Sequence, residues 1–345
     1  MTSATAPLTT ATEAKTSAAP WRRRWMSLAA VGLVVIVTVW FVRREFPAWD
    51  ELVAAVDRVN LGLLGLAAVA EVLSMWLFAR QQQWLFSGFG VGAPMRSVLA
   101  ITYSRSAMSM TFPAGGIVSA AFAVDQFRRI GAERATAVTV TVLSGIASIA
   151  GLFVLYGVGG GAVALFGAVG HSGAVVTTVS CVLVAGLAVT WVKRRGGVQS
   201  VVRPVLDVAV VSTRWGKIRA AVRTQWIEIR SLSGRYWAGA IGLAAANWAT
   251  DVVCLSLVGH AFGLHISIVQ LGAVYLTIQV IRQIPLSPGG LGIIETSLTA
   301  GLLVLGADNA TAAAAALGYR LLSCWLIIPI GLGAWWLLSR RQARA

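Results

Sequence analysis

Ile281-Arg282-Gln283-Ile284-Pro285-Leu286-Ser287-Pro288-Gly289-Gly290-Leu291-Gly292-Ile293-Ile294-Glu295-Thr296-Ser297 decides how this chain folds. Apolar sequence flanks it on both sides, yet it holds two prolines and three glycines, which stop a helix, and an arginine and a glutamate, which lipid rejects. In hydrocarbon every backbone polar group needs an internal partner, so broken helix survives only where protein or a water-filled cavity covers it. Charge at that depth is expensive and is kept for a function. A broken, charged, glycine-rich segment between membrane spans reads as a substrate site.

The composition supports that setting. Of 345 residues, 57% are hydrophobic and 12% charged, and the mean hydropathy is +0.77. Since about 20 apolar residues cross one bilayer, this is a polytopic membrane protein. The net charge of +15 gathers in a few loops, as the positive-inside rule requires, and no soluble basic groove for nucleic acid is present. Cys181, Cys254 and Cys324 lie in apolar runs without metal-ligand spacing and read as small buried hydrophobes.

Working outward, residues 1–20 read as a disordered tail. Residues 21–339 then form one transmembrane domain, and residues 340–345 a second short tail. Arg22 to Arg24 precede the apolar run Met26 to Val42, a retained first helix whose arginines put the N-terminus in the cytoplasm. Residues 49–58 pattern as an amphipathic helix on the outer interface. Leu61 to Ala79 crosses back and ends at Arg80 and Gln81 to Gln83, with Glu71 inside it as either an interhelical contact or part of a polar pathway. Ala135 to Tyr156 crosses outward, Gly157 to Gly161 reads as an outer turn, and Val175 to Val192 returns. Residues 193–235 form a basic cytoplasmic loop with an amphipathic segment, suited to anionic headgroups or to fixing topology. Tyr236 to Val258 crosses outward, leaving His260 and His265 at the outer face. Thr311 to Leu338 is the last span, and Arg340, Arg341 and Arg344 place the C-terminus in the cytoplasm.

A second break mirrors the first. Ser97 to Phe127 carries apolar flanks around Thr111-Phe112-Pro113-Ala114-Gly115-Gly116, with Arg96 before it and Arg128, Arg129 and Arg134 after it. That predicts a hairpin entering from the cytoplasm, whereas Ile268 to Leu305 enters from outside. Each tip follows an arginine, Arg105 or Arg282, and precedes an acid, Asp125 or Glu295. Paired, Gly/Pro-interrupted segments of this kind point to an inverted repeat with a midplane site. Helix N-termini just past Gly115-Gly116 and past Pro288-Gly289-Gly290-Leu291-Gly292 would face an anionic headgroup. Arg105 and Arg282 would add bidentate phosphate contacts. The bland alternative is that Arg105–Asp125 and Arg282–Glu295 are ion pairs that hold the bundle. Arg320 and Asp251 are weaker candidates that could simply neutralise partners. The expected fold is therefore an all-α bundle of about eight membrane elements.

These residues resemble a known family. Pro288-Gly289-Gly290-Leu291-Gly292-Ile293-Ile294-Glu295 is similar to the signature of the lysylphosphatidylglycerol synthase transmembrane-region family, also called flippase-like domain proteins. Phe112-Pro113-Ala114-Gly115-Gly116 with Arg128-Arg129-Ile130-Gly131 resembles its first motif. Tyr319-Arg320-Leu321-Leu322 with Trp325 and Pro329-Ile330-Gly331 resembles its final-helix motif. The resemblance covers nearly the whole chain from Trp25. It implies a lipid-handling domain in a bacterial cytoplasmic membrane that moves aminoacylated phospholipid or a polyprenyl-phosphate lipid between leaflets, alongside envelope-biosynthesis enzymes. The chain carries no aminoacyl-transferase domain, so lysyl-lipid synthesis is not expected. Ile117-Val118-Ser119-Ala120 stands where relatives more often carry a charge, which leaves the headgroup open.

The leading expectation is a lipid translocase that needs no cofactor. Arg105 and Arg282 hold the phosphate, and Asp125 and Glu295 engage a cationic headgroup or swap partners as access alternates. The glycine pairs admit close backbone approach. The alternatives are a membrane transferase on a polyprenyl-phosphate or phospholipid, with Glu295 or Asp125 as general base, and a scaffold subunit for an envelope enzyme. A proton gradient could act through Glu71, Asp125 or Glu295, and the sequence does not choose among them.

Overall fold

The computed structural model describes residues 59–112, 115–166, 232–282 and 288–342. Packing divides the chain after Arg44, and every described residue lies in the second unit. The expected first helix, the interfacial helix, the span Val175 to Val192, the basic loop up to residue 231 and Pro113 lie outside the described residues.

All the described regular structure is helical: α1 (Leu61–Gly88), α2 (Met95–Thr111), α3 (Gly115–Arg129), α4 (Arg134–Phe166), α5 (Gly234–Ala261), α6 (Ile268–Arg282), a 3-10 turn (Pro288–Gly290), α7 (Ile293–Val304), α8 (Asn309–Arg320), a π turn (Leu321–Trp325) and α9 (Ile327–Gln342). Among the described residues four stretches are long and apolar enough to cross a membrane: Leu61–Gly88, Arg134–Gly159, Gly234–Ala261 and Asn309–Arg340. Their outer faces suit lipid. Leu66, Val69, Leu73 and Trp76 of α1 are exposed at helical spacing, an apolar stripe that water would not tolerate and a bilayer would. At the end of α9, Trp335 and Trp336 are exposed and the Arg340 guanidinium sits 3.5 Å from the Trp336 ring centroid, as interfacial anchors do.

Two expected boundaries move. The Gly157–Gly161 run is not a turn, because α4 continues through it to Phe166. Without water to compete for backbone hydrogen bonds, glycine breaks a helix far less readily in lipid. A Cβ at Gly159 would stand 3.3 Å from Leu276 of α6, so the small residue serves close packing. Likewise α1 does not end at Arg80. It runs on to Gly88, and Gln81 and Gln82 are wholly buried within it. Their amides find partners there: Gln81 Nε2 donates to the Ser144 carbonyl at 3.3 Å and Gln82 Nε2 to Thr102 Oγ1 at 3.0 Å.

The long helices set two ends of the bundle. Gly88 of α1 packs on Leu232 and Tyr236 at the start of α5, while the Asn60 amide donates to the Ala261 carbonyl at 2.9 Å at the other end. α1 and α5 are therefore antiparallel neighbours. α2 starts at the Tyr236 end, where Gln83 Nε2 donates to the Ala93 carbonyl at 2.9 Å. α2 and α3 are 17 and 15 residues long, short of the ~20 needed to cross, so they form a hairpin that enters from that end and turns back. α6 and α7, of 15 and 12 residues, start just after Ala261 and form a second hairpin from the opposite end. Each hairpin builds its own apolar core. Val98, Ile101, Val124 and Phe127 pack with Phe86 and Leu143 at the Tyr236 end, and Leu271, Leu276, Leu298 and Leu302 pack with Leu255 and Val258 at the Asn60 end.

Candidate functional site

The two hairpin tips meet between these cores. The Pro288–Gly290 turn packs against the last turn of α2, so closely that a Cβ at Gly289 would lie 2.8 Å from the Met110 carbonyl oxygen. Gly289, Gly290 and Gly292 all adopt left-handed backbone, with φ of 62°, 70° and 82°. Only glycine takes such a run without strain, and this explains the spacing in Pro288-Gly289-Gly290-Leu291-Gly292.

A buried ion pair fixes the turn. Arg320 and Glu295 are 2% and 3% exposed, and Arg320 Nε donates to Glu295 Oε1 at 2.7 Å. The other carboxylate oxygen accepts from the Gly292 amide at 2.8 Å, the side-chain half of a capping box at the start of α7. Arg320 Nη2 donates to the Gly289 carbonyl at 3.0 Å. One guanidinium and one carboxylate thus staple both limbs of the tip to the last span. Directly after Arg320 the helix widens into a π turn, with the Leu326 amide donating to the Leu321 carbonyl at 2.9 Å. Such insertions concentrate at functional sites.

Beside the clamp lies a second polar group. Asp251 of α5 accepts from the Tyr275 hydroxyl at 2.6 Å and from the Tyr319 hydroxyl at 2.9 Å. Glu71 stands one turn before Ser74 on α1, whose hydroxyl donates to Asn247 Oδ1 at 2.9 Å, and Asp251 one turn after Asn247 on α5, so the two acids face each other across the antiparallel seam. Arg282 lies within electrostatic reach of both acids. A narrow cavity runs past Tyr275, Gln279, Tyr319 and Arg320, with the exposed Arg282 on its rim. Glu71 Oε2, Gln279 Oε1 and Ser323 Oγ are buried with no hydrogen-bond partner among the described residues.

The structure therefore gathers Pro288, Gly289, Gly290, Gly292, Glu295 and Arg320 at one tip with Arg282 nearby, but pairs them differently from the expectation. Glu295 bonds to Arg320, not to Arg282. Asp125 bonds to Arg129 one turn along α3, at 2.8 Å with both side chains about half exposed, and not to Arg105. Arg105 is half-buried, donates to Gln82 Oε1 at 3.2 Å and sits 5.5 Å from the Phe78 ring centroid. It has no carboxylate partner among the described residues. Gly115 and Gly116 open α3 at the first tip. Sequence reasoning passed over Tyr275 and Gln279. Their signal is the i, i+4 spacing of two polar residues on one face of an otherwise apolar helix.

Two opposed half-span hairpins, with charge at their meeting point, define an integral membrane protein built around an internal polar site. The chain belongs to the family described as the lysylphosphatidylglycerol synthase TM region, whose model matches residues 27–331. Over 87 residues it is 32% identical to a UPF0104 membrane protein of Methanothermobacter thermautotrophicus, a match covering 25% of this chain and 26% of that relative.

Proposed function

We propose that this protein moves a phosphate-bearing lipid between leaflets of the cytoplasmic membrane, its headgroup passing between the two hairpin tips. The observation that carries the reading is the meeting of two hairpins from opposite ends at Gly289 and Met110, with Arg282 exposed beside them. Half-span hairpins that face one another are the arrangement alternating access uses, since rocking one against the other exposes the site to each side in turn. On this reading the hairpins are an inverted repeat. The Tyr236 end, which gathers Arg96, Arg128, Arg129, Arg134 and Arg340, faces the cytoplasm.

The residues divide by task. Arg282 and Arg105, which have no carboxylate ion-pair partner among the described residues, attract the lipid phosphate. Arg320 and Glu295 use their bonding capacity on the turn and keep its glycine backbone in shape. This argues against Glu295 as the general base of a transferase, because both its oxygens already accept charge-assisted hydrogen bonds. Asp125, half-exposed and paired with Arg129, lacks the buried setting such a base uses.

Leaflet exchange tests the proposal. Purified full-length protein is reconstituted into liposomes with fluorescent phosphatidylglycerol, and outer-leaflet label is quenched chemically. Wild type is expected to expose more label than protein-free liposomes, and Arg282→Ala to lose most of that gain. Exchange no faster than in empty liposomes, across phosphatidylglycerol and a polyprenyl phosphate, would overturn it.

A further inference from the structure

Glu295, Asp125, Glu71 and Asp251 are separated by their surroundings. Glu295 has a guanidinium and an amide on its two oxygens, and Asp125 has Arg129 and solvent. Glu71 and Asp251 have each other. Asp251 is 8% exposed and its two oxygens take one tyrosine hydroxyl each. Glu71 is also 8% exposed, and its Oε2 has no hydrogen-bond partner among the described residues. The groups facing Glu71 are Asp251 and Cys254 from α5, Tyr103 from α2, Tyr319 from α8 and Arg282 from α6. On α4 the nearest titratable side chain of this core, Tyr156, donates to the Leu276 carbonyl. Among the described residues the cluster thus sets two carboxyls against Arg282, on the cavity rim, while Arg320 in the same cavity is held by Glu295.

Two buried carboxyls that face each other, as the Ser74–Asn247 bond one turn away places Glu71 and Asp251, cannot both ionise cheaply, and the usual resolution is one shared proton. Gln279 adds an independent sign that the cavity receives a ligand. It is 2% exposed, lines the cavity next to Arg282, and its Oε1 has no hydrogen-bond partner among the described residues. A ligand with a hydroxyl to donate and an anionic group for Arg282 would satisfy both.

We infer that Glu71 and Asp251 form a proton-binding site that shares one proton across the α1–α5 interface and takes it up as Arg282 engages an anionic ligand. The inference rests on the lipid-translocase reading for the identity of that ligand, and not for the proton site itself. An anion on Arg282 removes the positive charge that allows both acids to ionise, so binding draws in a proton. By reciprocity, lower pH tightens the anion. One linked proton changes apparent affinity by at most about tenfold per pH unit. In a membrane this couples movement of the anion to the proton gradient.

Infrared spectroscopy of the full-length protein in detergent, without lipid, tests the proton site. A protonated-carboxyl C=O band that is weak at pH 8 and grows toward pH 6 is expected, lost in Glu71→Gln and in Asp251→Asn. Absence of the band from wild type, or its persistence in whichever of these variants folds, overturns the site. Thermal unfolding with and without phosphatidylglycerol at pH 6 and pH 8 tests the coupling. Wild type should be stabilised more at pH 6, and Glu71→Gln equally at both. The same pH dependence in Glu71→Gln overturns the coupling. No stabilisation of wild type at either pH overturns both the coupling and phosphatidylglycerol as the anionic ligand, while the infrared band still decides the proton site.

Discussion

Arg320 donates to Glu295 and to the Gly289 carbonyl from a site only 2% exposed, so the last span holds the tip of the hairpin before it. Removing one member leaves the other charged and buried, which costs about 3–5 kcal/mol. Arg320→Ala and Glu295→Ala should each destabilise on that scale in denaturant titration. The double substitution should cost clearly less than the sum, because both lose the same pair.

Gly289 should be the most sensitive backbone position of the turn. At φ 62°, with the Met110 carbonyl oxygen 2.8 Å from where a Cβ would stand, alanine is strained twice over. A residue held in left-handed backbone costs about 1–3 kcal/mol. Gly289→Ala should therefore slow leaflet exchange in liposomes at least several-fold while circular dichroism still reports a helical fold.

Asp125 offers the opposite expectation. Its bond to Arg129 is half exposed, and such pairs contribute about 0–1 kcal/mol. Asp125→Asn should leave exchange within about twofold of wild type and barely move the unfolding midpoint.

Asp308 caps α8 outside the membrane spans, accepting from the Thr311 amide at 3.0 Å, and that bond holds its carboxyl below the usual range. A depressed carboxyl contributes stability above its unfolded pKa that is lost as pH falls through the folded one. Asp308→Ala should cost about 1 kcal/mol at neutral pH. The gap between variant and wild type should close as the acid limb is reached in a pH series of unfolding midpoints.

The helical class and both hairpins were legible because Pro113, Pro285 and Pro288 and the glycines interrupt apolar runs at half-span lengths, and backbone breaks are local. Charge at helix ends was legible for the same reason. The pairings were not. Arg320 is 25 residues from Glu295 and stands in a different span, and sequence proximity drew Arg282 to Glu295 instead. Glu71 and Asp251 were visible as isolated intramembrane acids, but their facing each other depends on α1 packing antiparallel along α5, 180 residues away in sequence. The glycine run at Gly157 misled because turn chemistry learned in water does not apply where lipid surrounds the backbone.

The most direct test of the central claim, that a lipid headgroup sits between the two tips, is to map where lipid binds. Phosphatidylglycerol with a photoactivatable headgroup is crosslinked to the full-length protein in liposomes, and the labelled residues are found by mass spectrometry. The account predicts label at Met110, Gln279 and Arg282, reduced by Arg282→Ala. Label confined to the outward stripe of Leu66, Val69, Leu73 and Trp76 would contradict it.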